Sequence, residues 1–164
     1  MRVERERNGH MNAAVLYGAE DLKVESVDIP SLADDEVLVR VEVALTCGTD
    51  LKVWKQGFHQ RMIKPPSLFG HELAGVIELK GSAVNGGFKE GMRVVPANSA
   101  PCNTCLYCRK GQPNLCEDLL FNNGAYAEYI RIPGRIVRQN MLLIPDNVSF
   151  LDRSEERRVG KECQ

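Results

Sequence analysis

Four cysteines stand within fifteen residues of this 164-residue chain: Cys102, Cys105, Cys108 and Cys116, in the stretch PCNTCLYCRKGQPNLC. Thiolates suit zinc, and four of them at about 2.3 Å from the ion complete a closed tetrahedron with no position left for substrate. The C-x2-C-x2-C-x7-C spacing fits that geometry, because a tight turn aims the first three sulfurs at one point and a short loop returns the fourth. Such a centre is structural. It braces an excursion with too few apolar side chains to hold itself, so ion binding becomes folding free energy. Two other chemistries compete for the same residues. Disulfides require an oxidising compartment. An iron–sulfur cluster fits a narrower last gap and a proline after the fourth cysteine, where this chain has Glu117.

A second group of donors is more widely spaced. Cys47 lies in TCGTD and His71 in FGHEL, 24 residues later. Singly, each has an ordinary explanation: a free cysteine is often a small buried hydrophobe, and a lone histidine is usually satisfied structurally. Taken with their neighbours they offer a thiolate, an imidazole and the Glu72 carboxylate, with Asp50 available to orient the His71 ring. A centre with two or three protein ligands keeps a position for substrate, where zinc polarises an alcohol or carbonyl oxygen.

The elements that must position these donors read mostly as strands. EVLVRVEVAL (36–45) alternates with period two, with Val37, Val39, Val41 and Val43 on one face and Arg40 and Glu42 on the other. Further strands are expected at 13–17, 22–29, 72–80, 92–96, 126–132 and 135–145. Short strands separated by Gly, Pro and Asn turns predict a mainly β fold, a sandwich or partly open barrel. One short helix is expected at 49–57, capped by Thr49 or Asp50 and ended by Gly57. Leu51, Trp54 and Phe58 read as core side chains, with a pocket mouth as the alternative.

Composition narrows the setting. The chain is 43% hydrophobic and 26% charged with a net charge of -1, and no apolar run approaches the roughly 20 residues that span a bilayer. The charged start, MRVERERNGH, is no secretory signal, so a reducing, cytoplasmic setting is expected. Beside the cysteines only Arg109 and Lys110 are basic before Glu117 and Asp118 follow, which is not a nucleic-acid-binding balance. Both ends look foreign. Residues 1–10 are expected to be a non-native or disordered extension ahead of a true start at Met11. Residues 153–164, with RSEERRVGKEC, continue no apolar face, and their codons can spell a common sequencing-library adapter. They are expected to be an artefactual tail, which removes Cys163 from the ligand set.

CGTD (47–50), GHE (70–72), the cysteine cluster and GAYAEY (124–129), in this order, resemble the N-terminal, GroES-like catalytic lobe of the zinc-dependent medium-chain alcohol dehydrogenases. The flavour is that of the threonine and sorbitol dehydrogenase branch, and the resemblance runs from Met11 to Asp152. It implies a GroES-like, partly open barrel with short helices. It implies Cys47 and His71 as ligands of a catalytic zinc, with Glu72 as a direct or alternating ligand, and a structural zinc on Cys102, Cys105, Cys108 and Cys116. Thr49 would pass the substrate proton toward solvent, and NAD(P) would accept the hydride in the full-length enzyme. The implied reaction oxidises a secondary alcohol or polyol to a carbonyl by way of a zinc alkoxide. The implied enzyme is a homo-oligomer at full length, with no nucleic-acid or membrane partner.

Three departures stand out. Lys52 occupies the position where the family often continues its proton relay with a histidine. Met92 replaces a common Asp. No Gly-x-Gly-x-x-Gly and no βαβ pattern occurs, so the nucleotide-binding domain is expected to be absent and this chain inactive alone. The rival reading is a free-standing, zinc-stabilised module that binds protein or nucleic acid. It leaves Cys47, Thr49, Asp50, His71 and Glu72 unexplained.

Overall fold

A computed structural model of the chain describes residues 9–153. The expected extension at 1–10 and tail at 153–164, with Cys163, fall outside the described residues except for Gly9, His10 and Arg153. The first strand starts at His10, one residue ahead of the expected boundary, and buries Met11.

The chain runs β1 (His10–Gly18), β2 (Asp21–Asp28), β3 (Val37–Leu45), α1 (Gly48–Gln56), β4 (Ser67–Leu68), β5 (Glu72–Lys80), β6 (Arg93–Pro96) and β7 (Ser99–Ala100). It continues with α2 (Leu106–Arg109), a 3-10 turn (Pro113–Leu115), β8 (Leu120–Phe121), β9 (Tyr129–Ile132), α3 (Gly134–Asn140), β10 (Met141–Leu143) and α4 (Phe150–Arg153). The fold is mainly β, as expected. Its sheets are open: a five-stranded sheet in the order β10-β6-β5-β3-β9, a three-stranded sheet β2-β1-β4, and the pair β7-β8. Among the described residues no helix is long and apolar enough to cross a membrane.

The main core lies against the five-stranded sheet, where Val37, Val39, Ile77, Val94, Ile130, Ile132 and Ile136 meet. A smaller cluster of Ala14, Leu16, Val53, Ile63 and Phe69 ties α1 to β1. Burying a side chain such as Leu16 completely is worth about 1.5–3 kcal/mol, so this cluster fixes the helix that begins beside Cys47.

The expected strand at 135–145 is corrected: residues 134–140 are helical, and only Met141–Leu143 pair as a strand. The reason lies in Ile136 and Val137, adjacent and both buried. A strand would send neighbouring side chains to opposite faces, whereas one side of a helix accommodates both.

Candidate metal centres

Two residues separate the end of β3 from the start of α1, and Cys47 is the second of them. Its backbone is extended (φ -104°, ψ 173°), which places it at the helix N-cap. The sulfur accepts the Thr49 N–H at 3.2 Å, and Asp50 Oδ2 accepts the Cys47 N–H at 3.0 Å. This reciprocal box satisfies two donors at the helix start. Neither Thr49 nor Asp50 is the cap itself; the extended backbone of Cys47 turns its sulfur across the first turn instead. Gly57 ends the helix with φ +80°, as expected.

Asp50 is 3% exposed and His71 8%. Asp50 Oδ1 lies 3.0 Å from His71 Nδ1, so the carboxylate accepts that N–H. One carboxylate therefore holds the backbone of Cys47 and the ring of His71 together. The arrangement leaves His71 Nε2 facing Cys47 Sγ at 3.3 Å and Glu72 Oε1 at 3.8 Å. One donor atom from each of the three lies within 4.8 Å of the others. Zinc bonds of about 2.0–2.3 Å in a tetrahedron separate a nitrogen and a sulfur ligand by about 3.6 Å. The soft thiol, the imidazole with its far nitrogen tied back, and the carboxylate fit that ion.

His71 owes its position to backbone lacing. Phe69 donates to the Ala14 carbonyl at 3.0 Å, and Tyr126 donates to the Phe69 carbonyl at 3.0 Å. Gly124 and Ala125 both donate to the Gly70 carbonyl, at 2.8 and 3.1 Å. Gly70 has φ +83°, and a Cβ there would stand 2.6 Å from the Tyr126 ring. Only glycine meets both demands. Nothing in the spacing of metal-ligand types pointed to Tyr126, which entered only as a letter of GAYAEY. It packs against the Phe69 ring edge-on and brings its hydroxyl to 3.2 Å from Asp50 Oδ2.

The ionisable groups respond to this packing. Burial pushes the Cys47 thiol up, and hydrogen bonds from Asp50 and Thr49 offset part of the rise. Burial alone would raise Asp50 as well, but the His71 ring, the Cys47 amide and the Tyr126 hydroxyl hold it below the usual carboxylate value. His71 goes the other way: burial opposes its charge, yet the Asp50 carboxylate, aided by Glu72, raises it. Thr49 sits half-buried beside Cys47, and Lys52 is exposed on the same helix. Leu51 and Phe58 are 50% and 53% exposed, so neither is a core side chain; Trp54 packs against the smaller cluster.

The four-cysteine stretch is assembled locally. Asn103 takes a left-handed conformation (φ 61°) just after Cys102 and folds the turn back. The Cys105 and Thr104 amides donate to Cys102 Sγ at 3.3 and 3.4 Å, and the Cys102 amide donates to Cys116 Sγ at 3.2 Å. Cys102 and Cys108 sulfurs lie 4.0 Å apart, and one sulfur from each of the four lies within 4.8 Å of the others. Tetrahedral zinc–thiolate geometry sets sulfurs about 3.8 Å apart. Hydrogen bonds from Thr104 and the Cys105 amide lower the Cys102 thiol to about 6. Burial and the neighbouring sulfurs push Cys108 up to about 12. No cysteine among the described residues is in a disulfide. Arg61 reaches in from the segment after α1, donating to the Cys116 carbonyl at 2.9 Å and lying over the Phe121 ring.

The family described as the alcohol dehydrogenase GroES-like domain matches residues 33–146. The chain belongs to this family. Sorbitol dehydrogenase of Bacillus subtilis is 35% identical over 148 residues, which are 86% of this chain and 40% of that protein. L-Threonine 3-dehydrogenase of Xanthomonas euvesicatoria is 38% identical over 131 residues, 76% of this chain and 37% of that protein. An alcohol dehydrogenase of Escherichia coli CFT073, solved with NADH, superposes with a TM-score of 0.73 at 29% identity, covering 86% of this chain and 40% of that one. The GroES-like chain thus spans about 40% of the length of the curated relatives it matches. Both donor groups lie within or beside the matched span, which holds Cys47, His71, Glu72 and the four clustered cysteines.

Proposed function

We propose that this GroES-like domain is the zinc-binding catalytic lobe of an NAD(P)-dependent dehydrogenase acting on a secondary alcohol or polyol. The observation that carries the reading is the convergence of Cys47, His71 and Glu72 on one point, with Asp50 fixing the first two. A zinc ion held there would supply a Lewis acid for the substrate oxygen, and a nicotinamide cofactor would supply the hydride chemistry. Cys47 Sγ, His71 Nε2 and Glu72 Oε1 are the ligands, and Asp50 keeps the His71 ring turned with Nε2 forward. Thr49 Oγ1 hands the substrate's hydroxyl proton outward. Lys52, one turn further and exposed, stands where the family often continues this relay with a histidine.

Cys102, Cys105, Cys108 and Cys116 hold the second, structural zinc. In this reading the lobe covers 11–152, the nucleotide-binding domain belongs to the remainder of a full-length homo-oligomer, and the present chain is inactive alone.

The deciding measurement is metal content. Purified chain should carry two zinc ions; Cys47→Ser should lose one and Cys102→Ser the other. A Cys47→Ser chain that retains both overturns the catalytic centre. The activity is tested on the full-length protein with NAD(P)+ and sorbitol, xylitol or threonine, where Cys47→Ser should abolish turnover.

A further inference from the structure

Tyr126 touches both segments that carry the candidate ligands. On the Cys47 side its hydroxyl lies 2.9 Å from Thr46 Oγ1, 3.1 Å from the Leu45 carbonyl and 3.2 Å from Asp50 Oδ2. On the His71 side its ring fills the space that a side chain at Gly70 would need, and meets Phe69 edge-on with 5.6 Å between centroids. Its backbone is fixed at both ends, the amide by the Phe69 carbonyl and the carbonyl by the Ala14 amide at 2.7 Å. The residue thus has almost no freedom to shift. Burial, aided by Asp50, pushes the phenol up to about 12, so the hydroxyl stays a donor throughout the neutral range.

Asp50 is where this matters. Its Oδ1 is committed to His71, and its Oδ2 to the Cys47 amide and the tyrosine hydroxyl. A carboxylate that orients a metal-bound histidine is worth about 10–100-fold in metal binding, and the tyrosine hydroxyl acts on that carboxylate, one hydrogen bond further out. A phenylalanine would fill the same space but could not hold the carboxylate.

We propose that Tyr126 is a positioning residue for the Cys47/His71/Glu72 centre, its hydroxyl steadying Asp50 and through it the His71 ring, its ring setting the gap between the two ligand-bearing segments. The proposal rests on the metal-centre reading above. It makes the hydroxyl a contributor to ion affinity and not to the fold.

The test is a Co2+ titration of the whole chain, competed against a chromophoric chelator, in the wild type, Tyr126→Phe, Asp50→Asn and the double variant. The tighter equivalent, on the four cysteines, serves as internal control. Tyr126→Phe should leave that equivalent and the melting temperature unchanged and weaken the second about tenfold. In the Asp50→Asn background the same change should cost under about twofold, because coupled residues are not additive. Three results overturn the proposal: an unchanged second affinity, an equal loss in both backgrounds, or a joint fall of both equivalents with the melting temperature. A wild-type chain that takes only one ion sinks the metal-centre reading along with it. Two ions in the wild type and an indifferent Tyr126→Phe sink the tyrosine alone.

Discussion

Three of the four clustered cysteines are half-exposed on a turn whose helix α2 and following 3-10 turn bury no side chain. Cys47 and His71 instead come from segments 24 residues apart and meet through a buried carboxylate, three laced backbones and an apolar cluster. The first site has its donors close in sequence, on a turn held by its own amides and by Arg61. The second has its donors far apart and a fold that pre-forms their meeting. The contrast teaches what each set of donors leans on: local turn geometry at the cysteine loop, and long-range burial and hydrogen bonding where Cys47, His71 and Glu72 meet.

If that is right, the largest effect belongs to the loop. Structural zinc on cysteine-rich peptides contributes about 10–16 kcal/mol of apparent binding free energy at neutral pH. Cys102→Ser, or chelation of the ion, should therefore unravel 101–118, seen as new protease cleavage there and a marked fall in melting temperature. A loop that stays protease-resistant without metal would erase the distinction between the two sites.

A middle-sized effect comes from Gly70→Ala. The added methyl meets the Tyr126 ring in a left-handed backbone, and overpacking of this kind costs about 1–3 kcal/mol. Denaturant unfolding should register that loss, and metal titration should show the second equivalent weakened with the first intact. Cys47→Ser should cost less than about 1 kcal/mol of stability, because serine is itself a strong N-cap, while removing the second ion completely.

Much of this organisation is visible in the sequence. The period-two run of β3, the glycine that ends α1, the four-cysteine spacing and the pairing of Cys47 with His71 are written in residue types and intervals. What escapes is set by tertiary contact. The capping role of Cys47 depends on a sulfur aimed by an extended backbone, which no propensity of cysteine announces. Arg135–Asn140 reads as strand in the sequence, and the joint burial of Ile136 and Val137 makes it helix. Tyr126 reaches Asp50 across 76 residues, and GAYAEY does not say which way that hydroxyl points.

The smallest effect is one of pH, and it concerns the buried centre. Burial raises Cys47, and Asp50 raises His71 against the pull of burial, so both ligands hold their protons more firmly than free side chains do. Loading of this centre should fall as pH falls and recover as pH rises, which a metal titration repeated across pH reads directly. In metal-free chain the Asp50–His71 pair has its own signature. His71, raised in the folded state, stabilises fully below about pH 6.5 and loses that contribution as pH climbs through its folded value. Asp50, lowered in the folded state, contributes above about pH 3.9 and stops as acid titrates it. Thermal melts should therefore show the pair's contribution greatest from about pH 4 to 6.5, and its absence from that window would argue that the two side chains do not pair.

Arg61 grips the final cysteine by its carbonyl, and Asn123 donates to the neighbouring Met62 carbonyl at 2.8 Å. Both anchors sit on the stretch of chain leading from α1 toward His71. An injury to the cysteine turn would free the Arg61 end of that stretch and leave Met62 held by Asn123, so the chain leading to His71 stays moored by one rope when the other is cut.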